Sequence, residues 1–121
     1  MESINENNFN QEVIESTIPV IVNFWAPWCG VCRLIEPVLN QLQANFPATF
    51  KVVRINADEN FRLCCNYRLT SLPTLLIFEQ GEIVQRFDPL QAQGDLRTAL
   101  RQMIEQFSPT PCLQGSVISK S

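Results

Sequence analysis

The stretch Val20-Ile21-Val22-Asn23-Phe24-Trp25-Ala26-Pro27-Trp28-Cys29-Gly30-Val31-Cys32-Arg33 decides how the chain is read. Apart from Asn23, its first six residues are β-branched or aromatic and show no polar–apolar alternation. Such a run, apolar on both faces, predicts a central strand covered on two sides. From Cys29 the period changes. Leu34, Ile35, Val38, Leu39 and Leu42 recur at helical spacing and predict a helix over residues 29–46. Pro37 falls inside that helix and predicts a kink. A strand that turns sharply into a helix starting at a cysteine is therefore the centre of the chain.

Elements of the same two kinds lie on either side. Residues 7–16 place Phe9, Val13 and Ile14 on one face of a short amphipathic helix, which Pro19 ends. Downstream the pattern predicts a strand over 49–55, a short helix over 61–67 and a strand over 74–78. A turn at Gln80-Gly81 leads into an antiparallel partner strand over 82–87. The last helix is predicted over 95–107, capped by Asp95, with Leu96, Ala99, Leu100, Met103 and Ile104 as its apolar stripe. This alternation predicts an α/β fold, a central mixed β-sheet flanked by helices on both faces. Residues 1–107 read as one domain. Residues 108–121, with two prolines, a glycine and four serines, read as a flexible C-terminal tail.

Composition narrows the chemistry. A chain of 121 residues is one domain by length and can bury roughly 65% of its unfolded surface without a staple. A net charge of −3 with scattered Lys and Arg argues against nucleic acid and against an anionic membrane as partner. The absence of His excludes mechanisms that need an imidazole base or ligand. The polar, acidic start Met1-Glu2-Ser3-Ile4-Asn5-Glu6 lacks the pattern of a signal peptide, and no apolar run reaches the roughly 18 residues of a membrane helix. A cytoplasmic, reducing location is expected. There, five cysteines point to redox chemistry or metal binding before structural staples.

Two cysteines separated by two residues serve either redox exchange or half of a zinc site. Here the pair follows a strand, opens a helix, and has no second such pair. Unpaired N–H groups and the positive end of the helix dipole stabilise a thiolate at that place. Cys29, at the helix start, is the expected nucleophile, and Cys32, one turn further in, the thiol that displaces it. A four-thiolate site from Cys29, Cys32, Cys64 and Cys65 is the metal alternative. Cys64 is expected to pack inward and Cys65 to face out, while Cys112 lies in the tail.

Residues 20–33, together with Ser71-Leu72-Pro73-Thr74-Leu75, resemble the active-site segment and the cis-proline loop of thioredoxins. Element order is similar from about residue 8 to residue 107. The resemblance implies a thiol–disulfide oxidoreductase that reduces disulfides in client proteins and draws electrons from a thioredoxin-reductase-type donor. It implies a monomer with no cofactor beyond the redox-active Cys29–Cys32 pair. Pro73 would be cis and pack beside the sulfurs, blocking a metal cluster there, and the Leu72 backbone would pair with substrate. Trp28 would flank the sulfurs, and Trp25 would lie beneath them, hydrogen-bonded to Asp58.

Three departures bear on tuning. Gly30-Val31 stands where Gly-Pro is usual in the family, which leaves an extra N–H near the sulfurs. The expected effect is a potential higher by ~20–60 mV, part of the roughly 90 mV that separates thioredoxin from protein disulfide isomerase. Asn23 stands where the family has a buried acid, so it cannot take a proton, and Arg54 replaces the usual lysine. Slower resolution of the mixed disulfide is expected. Asp88-Pro89-Leu90 replaces a glycine-containing loop, which alters the substrate groove and the reductase docking surface. The rival reading is a binding or redox-sensing module on the same fold, with weak or unusual catalysis.

Overall fold

The chain builds β1 (Glu2–Ile4), β2 (Val20–Trp25), α1 (Gly30–Asn45), β3 (Lys51–Asn56), α2 (Phe61–Asn66), β4 (Thr74–Glu79) and β5 (Glu82–Phe87). The computed structural model describes residues 1–88 together with Thr98, Ala99 and Gln102. Those last three are helical. The remainder of the helix expected over 95–107, the Pro89-Leu90 dipeptide, Cys112 and the 108–121 tail lie outside the described residues.

β2 is central. It runs parallel to β3 and antiparallel to β4, in a mixed sheet of order β1-β3-β2-β4-β5. Its first five residues are buried, as two-sided coverage requires. Even-numbered β2 residues Val20, Val22 and Phe24 join Phe9, Val13, Val53, Ile55 and Leu63 in one core. Ile21 meets Ile35, Leu39, Leu42, Val52 and Leu75 in the other. Helical segments therefore cover both faces: α1 on one, α2 and the N-terminal turn on the other.

Several local outcomes differ from expectation. The residues 7–16 helix is a single wide turn over Asn10–Ile14, closed by the Glu15 N–H on the Asn10 carbonyl at 2.9 Å. It is entered through reciprocal caps: Asn5 Oδ1 accepts from the Asn7 N–H at 2.8 Å, and Asn8 Oδ1 accepts from the Asn5 N–H at 2.8 Å. The short strand β1 was not expected from its acidic sequence; it pairs with β3 and buries only Ile4. Leu34 leaves the predicted apolar stripe and is 67% exposed. It lies about 100° around the helix from Ile35, and the stripe Cys32, Ile35, Leu39 and Leu42 already fills the inner face.

The β4–β5 hairpin turns at Gln80 and Gly81, both at positive φ (55° and 83°). That combination matches the twist of the flanking strands.

Candidate active site

Cys29 caps α1. Its φ and ψ are extended, at −91° and 108°, and its Sγ accepts the Cys32 N–H at 3.2 Å. Cys29 and Cys32 form a disulfide with Cα atoms 5.3 Å apart. The turn before it is held by the Cys29 N–H on the Ala26 carbonyl at 3.1 Å. Arg33 ties the same loop by donating to the Pro27 carbonyl at 2.7 Å. Cys29 is 6% exposed and Cys32 1%, so both sulfurs are buried in the oxidised form and the helix-capping residue is the more accessible. Gly30 borders them, and a Cβ built on it meets nothing within 4 Å.

The Leu72–Pro73 peptide is cis. Leu72, like Trp25 and Val31, packs against the cluster of Ala26, Cys29 and Cys32, so the loop before β4 lies against the cysteine pair. Thr74 Oγ1 donates to the Ser71 carbonyl at 2.7 Å, and Ser71 Oγ donates to Asp88 Oδ2 at 3.0 Å. The chain leaving β5 is thereby fastened to the same loop.

The two tryptophans exchange the partner expected from the sequence. Trp28, 69% exposed, donates its indole N–H to Asp58 at 3.2 and 3.1 Å. Trp25 makes no such bond; the Arg54 guanidinium carbon sits 3.9 Å from its ring centroid. Asp58 lies in the solvent-facing turn after β3, on the side where Trp28 projects, whereas Trp25 points under α1 with Asn23. Arg54 also reaches Glu36 Oε2 at 2.8 Å, with side chains about a quarter exposed. Asn23 is fully buried opposite Arg54 in the β2–β3 register.

A cleft of about 260 Å³ opens between Trp28 and the loop before β4, lined by Trp28, Asp58, Phe61, Cys64 and Leu72 among others. Sequence reasoning did not single out Phe61 or Cys64 as cleft residues. The exposed aromatic at the start of α2 was the available signal: Phe61 is 74% exposed. Cys64 is partly buried, and its Sγ donates to the Ala57 carbonyl at 3.7 Å; Cys65 is exposed. Burial raises the Cys64 thiol above its ordinary value, and the charges of Cys65, Glu6 and Asp58 add to this. Among the described residues, no three His, Cys, Asp or Glu side chains converge as a metal site.

A mixed sheet between helices, carrying a helix-capping Cys-x-x-Cys disulfide against a cis-proline loop, defines a thiol–disulfide oxidoreductase of the thioredoxin fold. The thioredoxin family model matches residues 1–102. The thioredoxin of Pyropia yezoensis is 38% identical over 104 residues, covering 86% of this chain and 97% of that one. Thioredoxin 1 of Synechococcus elongatus is 45% identical over 82 residues, covering 68% and 77%. The M-type chloroplastic thioredoxin of Chlamydomonas reinhardtii is 39% identical over 80 residues, covering 66% and 57%. The chain belongs to the thioredoxin family. It is a protein-disulfide oxidoreductase whose redox group is a cysteine pair. Disulfide-bearing proteins and a reductase are its partners in general terms. No helix among the described residues is long and apolar enough to cross a membrane.

Proposed function

We propose that the protein reduces disulfides in client proteins, with Cys29 attacking and Cys32 resolving. The Cys29 thiolate opens the client disulfide and forms a mixed disulfide, releasing one client thiolate. Cys32 then attacks Cys29 Sγ, releases the second client thiolate and closes the Cys29–Cys32 disulfide. A thioredoxin-reductase-type donor returns two electrons and two protons.

The observation that carries this reading is the position of Cys29 Sγ at the first turn of α1. There it accepts a backbone N–H, and the site is built to stabilise negative charge on that sulfur. Leu72 and Pro73 present backbone to an extended client segment, and Trp28 with the adjoining cleft takes its side chains. Trp25, Gly30, Val31, Asn23 and Arg54 tune the pair from around and beneath it. Cys64 and Cys65 are free, which suits a reducing compartment such as the cytoplasm.

Insulin-disulfide reduction, driven first by dithiothreitol and then by a purified thioredoxin reductase, tests the proposal. Turnover with both donors, lost in Cys29→Ser and Cys32→Ser, is the expected result. Turnover with dithiothreitol alone would point to a different electron donor. No turnover with either would mean a binding or sensing module.

A further inference from the structure

Three of the described residues are buried and polar. Two of them are well partnered. Thr74 donates to the Ser71 carbonyl at 2.7 Å; Asn60 accepts from the Glu6 N–H at 2.8 Å and donates to the Asn56 carbonyl at 2.9 Å. The third, Asn23, is 0% exposed, and neither atom of its amide has a protein partner among the described residues. Trp25 Nε1 and Arg54 Nε are buried in the same condition.

These orphaned atoms share one place. Asn23 and Trp25 are two apart on β2 and point to the same face. Arg54 stands in register with Asn23 on β3 and stacks on Trp25. That face lies under α1, where Cys32 is buried. Left dry, each such group costs roughly 1–3 kcal/mol. Burying a whole Leu side chain returns only ~1.5–3 kcal/mol. Packing cannot carry four such atoms, whereas two or more buried waters, each making about three hydrogen bonds, can.

Glu36 links this group of atoms, through Arg54, to solvent. It follows Cys32 by four residues, so the two share a face of α1. Its carboxylate holds Arg54 at 2.8 Å while its side chain stays 26% exposed. Among the described residues no other carboxylate is so placed: Asp58 is bonded to Trp28 on the outer side, and Glu6 accepts from the Arg62 and Leu63 N–H groups of α2. Around Cys32, the loop carries Cys29, β3 carries Arg54, and β4 faces Asn23 with Leu75.

We propose that Asn23, Trp25 and Arg54 hold water beneath Cys32, and that Glu36 is the group through which the Cys32 proton leaves for solvent. The inference rests on Cys32 being the resolving thiol. In that step the Cys32 S–H bond breaks, and the proton passes through water to the Glu36 carboxylate and on to bulk solvent. The electron pair left on Cys32 forms the bond to Cys29 Sγ, and the bond from Cys29 to the client sulfur breaks with its pair on the client. Asn23 orients the water without titrating. Arg54 holds Glu36 in place. An ion pair spanning α1 and β3 thus supplies what a buried acid at residue 23 would otherwise do.

The two displacements can be timed separately. The full chain carrying Cys64→Ala, Cys65→Ser and Cys112→Ser is reduced and mixed with 5,5′-dithiobis(2-nitrobenzoate) in stopped flow. One aromatic thiolate is released when Cys29 attacks and a second when Cys32 displaces it. In this background Glu36→Gln should slow the second release about tenfold or more near pH 7, at the lower end of what proton transfer contributes. The first release should be unchanged. The gap should close at alkaline pH, where Cys32 ionises unaided, and Glu36→Asp should restore most of the rate. An unaltered pH profile in Glu36→Gln, or an equal loss at every pH, would overturn the inference. If the parent shows no second release, the resolving role of Cys32 fails, and the inference with it.

Discussion

Trp28 donates its indole N–H to both carboxylate oxygens of Asp58, at 3.2 Å to Oδ1 and 3.1 Å to Oδ2. A ring that is 69% exposed is thereby held in one orientation at the mouth of the cleft. Fixing it before a client arrives removes part of the ordering cost of docking. Asp58→Ala should raise KM for a protein disulfide by about three- to tenfold, with kcat nearly unchanged, because positioning rather than sulfur chemistry is lost. Asp58→Asn keeps an acceptor and should lie close to the parent. Insulin-reduction kinetics measure both values. A fall in kcat at constant KM would assign Asp58 to the chemistry instead.

The fold was legible where one signal dominated. The apolar run of β2 and the helical period after Cys29 each mark their element without help from distant residues. β1 was not legible, because three residues with one buried side chain give no period, and only pairing with β3 makes them a strand. The tryptophan that meets Asp58 was likewise hidden. Trp25 and Trp28 both lie near the turn, and the side of the sheet on which the post-β3 turn ends decides between them. The departures at Asn23 and Arg54 could be read from the sequence; their link to Glu36 needed the β2–β3 register and the face of α1 together.

Val31 is the second residue of α1, where a backbone N–H has no acceptor within the helix. It therefore stays available near the Cys29 sulfur, whose Sγ already accepts from Cys32. Proline suits the first turn of a helix, so Val31→Pro removes this donor with little cost to the fold. With less support for the thiolate, the pair should become more reducing by ~20–60 mV. Equilibration against glutathione buffers reads the shift. A potential equal to or above that of the parent would mean that the donor at residue 31 does not set it.

The same substitution at two glycines should destabilise at one and not at the other. At Gly81 the backbone has φ +83°, and a Cβ would lie 3.1 Å from the Ile14 carbonyl oxygen. Gly81→Ala should destabilise by about 1–2 kcal/mol from the left-handed backbone alone. Gly30 opens α1 with nothing within 4 Å of a built Cβ. Gly30→Ala should leave stability unchanged or raise it by up to ~1 kcal/mol, as alanine does over glycine in a helix. The new methyl would nevertheless project into open space at the residue between the two cysteines, where a client docks, and client turnover should fall more than stability does. Urea unfolding of the oxidised protein separates the two; a matched loss at both positions would contradict the argument.

Cys64 makes the stability depend on alkaline pH. Burial raises its thiol from the ordinary 9.0, with Cys65, Glu6 and Asp58 adding, and its Sγ donates to the Ala57 carbonyl only while protonated. The unfolded chain therefore ionises first as pH rises. The contribution of Cys64 is complete below pH 9.0 and is lost as the pH climbs from there through the higher folded value. Tyr67, raised by burial from 10.0, adds a second loss further up. Urea midpoints should thus fall above pH 9, and Cys64→Ala should flatten the first part of the fall while leaving the Tyr67 part. Iodoacetamide should alkylate the exposed Cys65 well before Cys64 near neutral pH, since only the thiolate reacts. Equal labelling of the two, or an undiminished fall in Cys64→Ala, would show that ionisation of Cys64 is not what weakens the folded state.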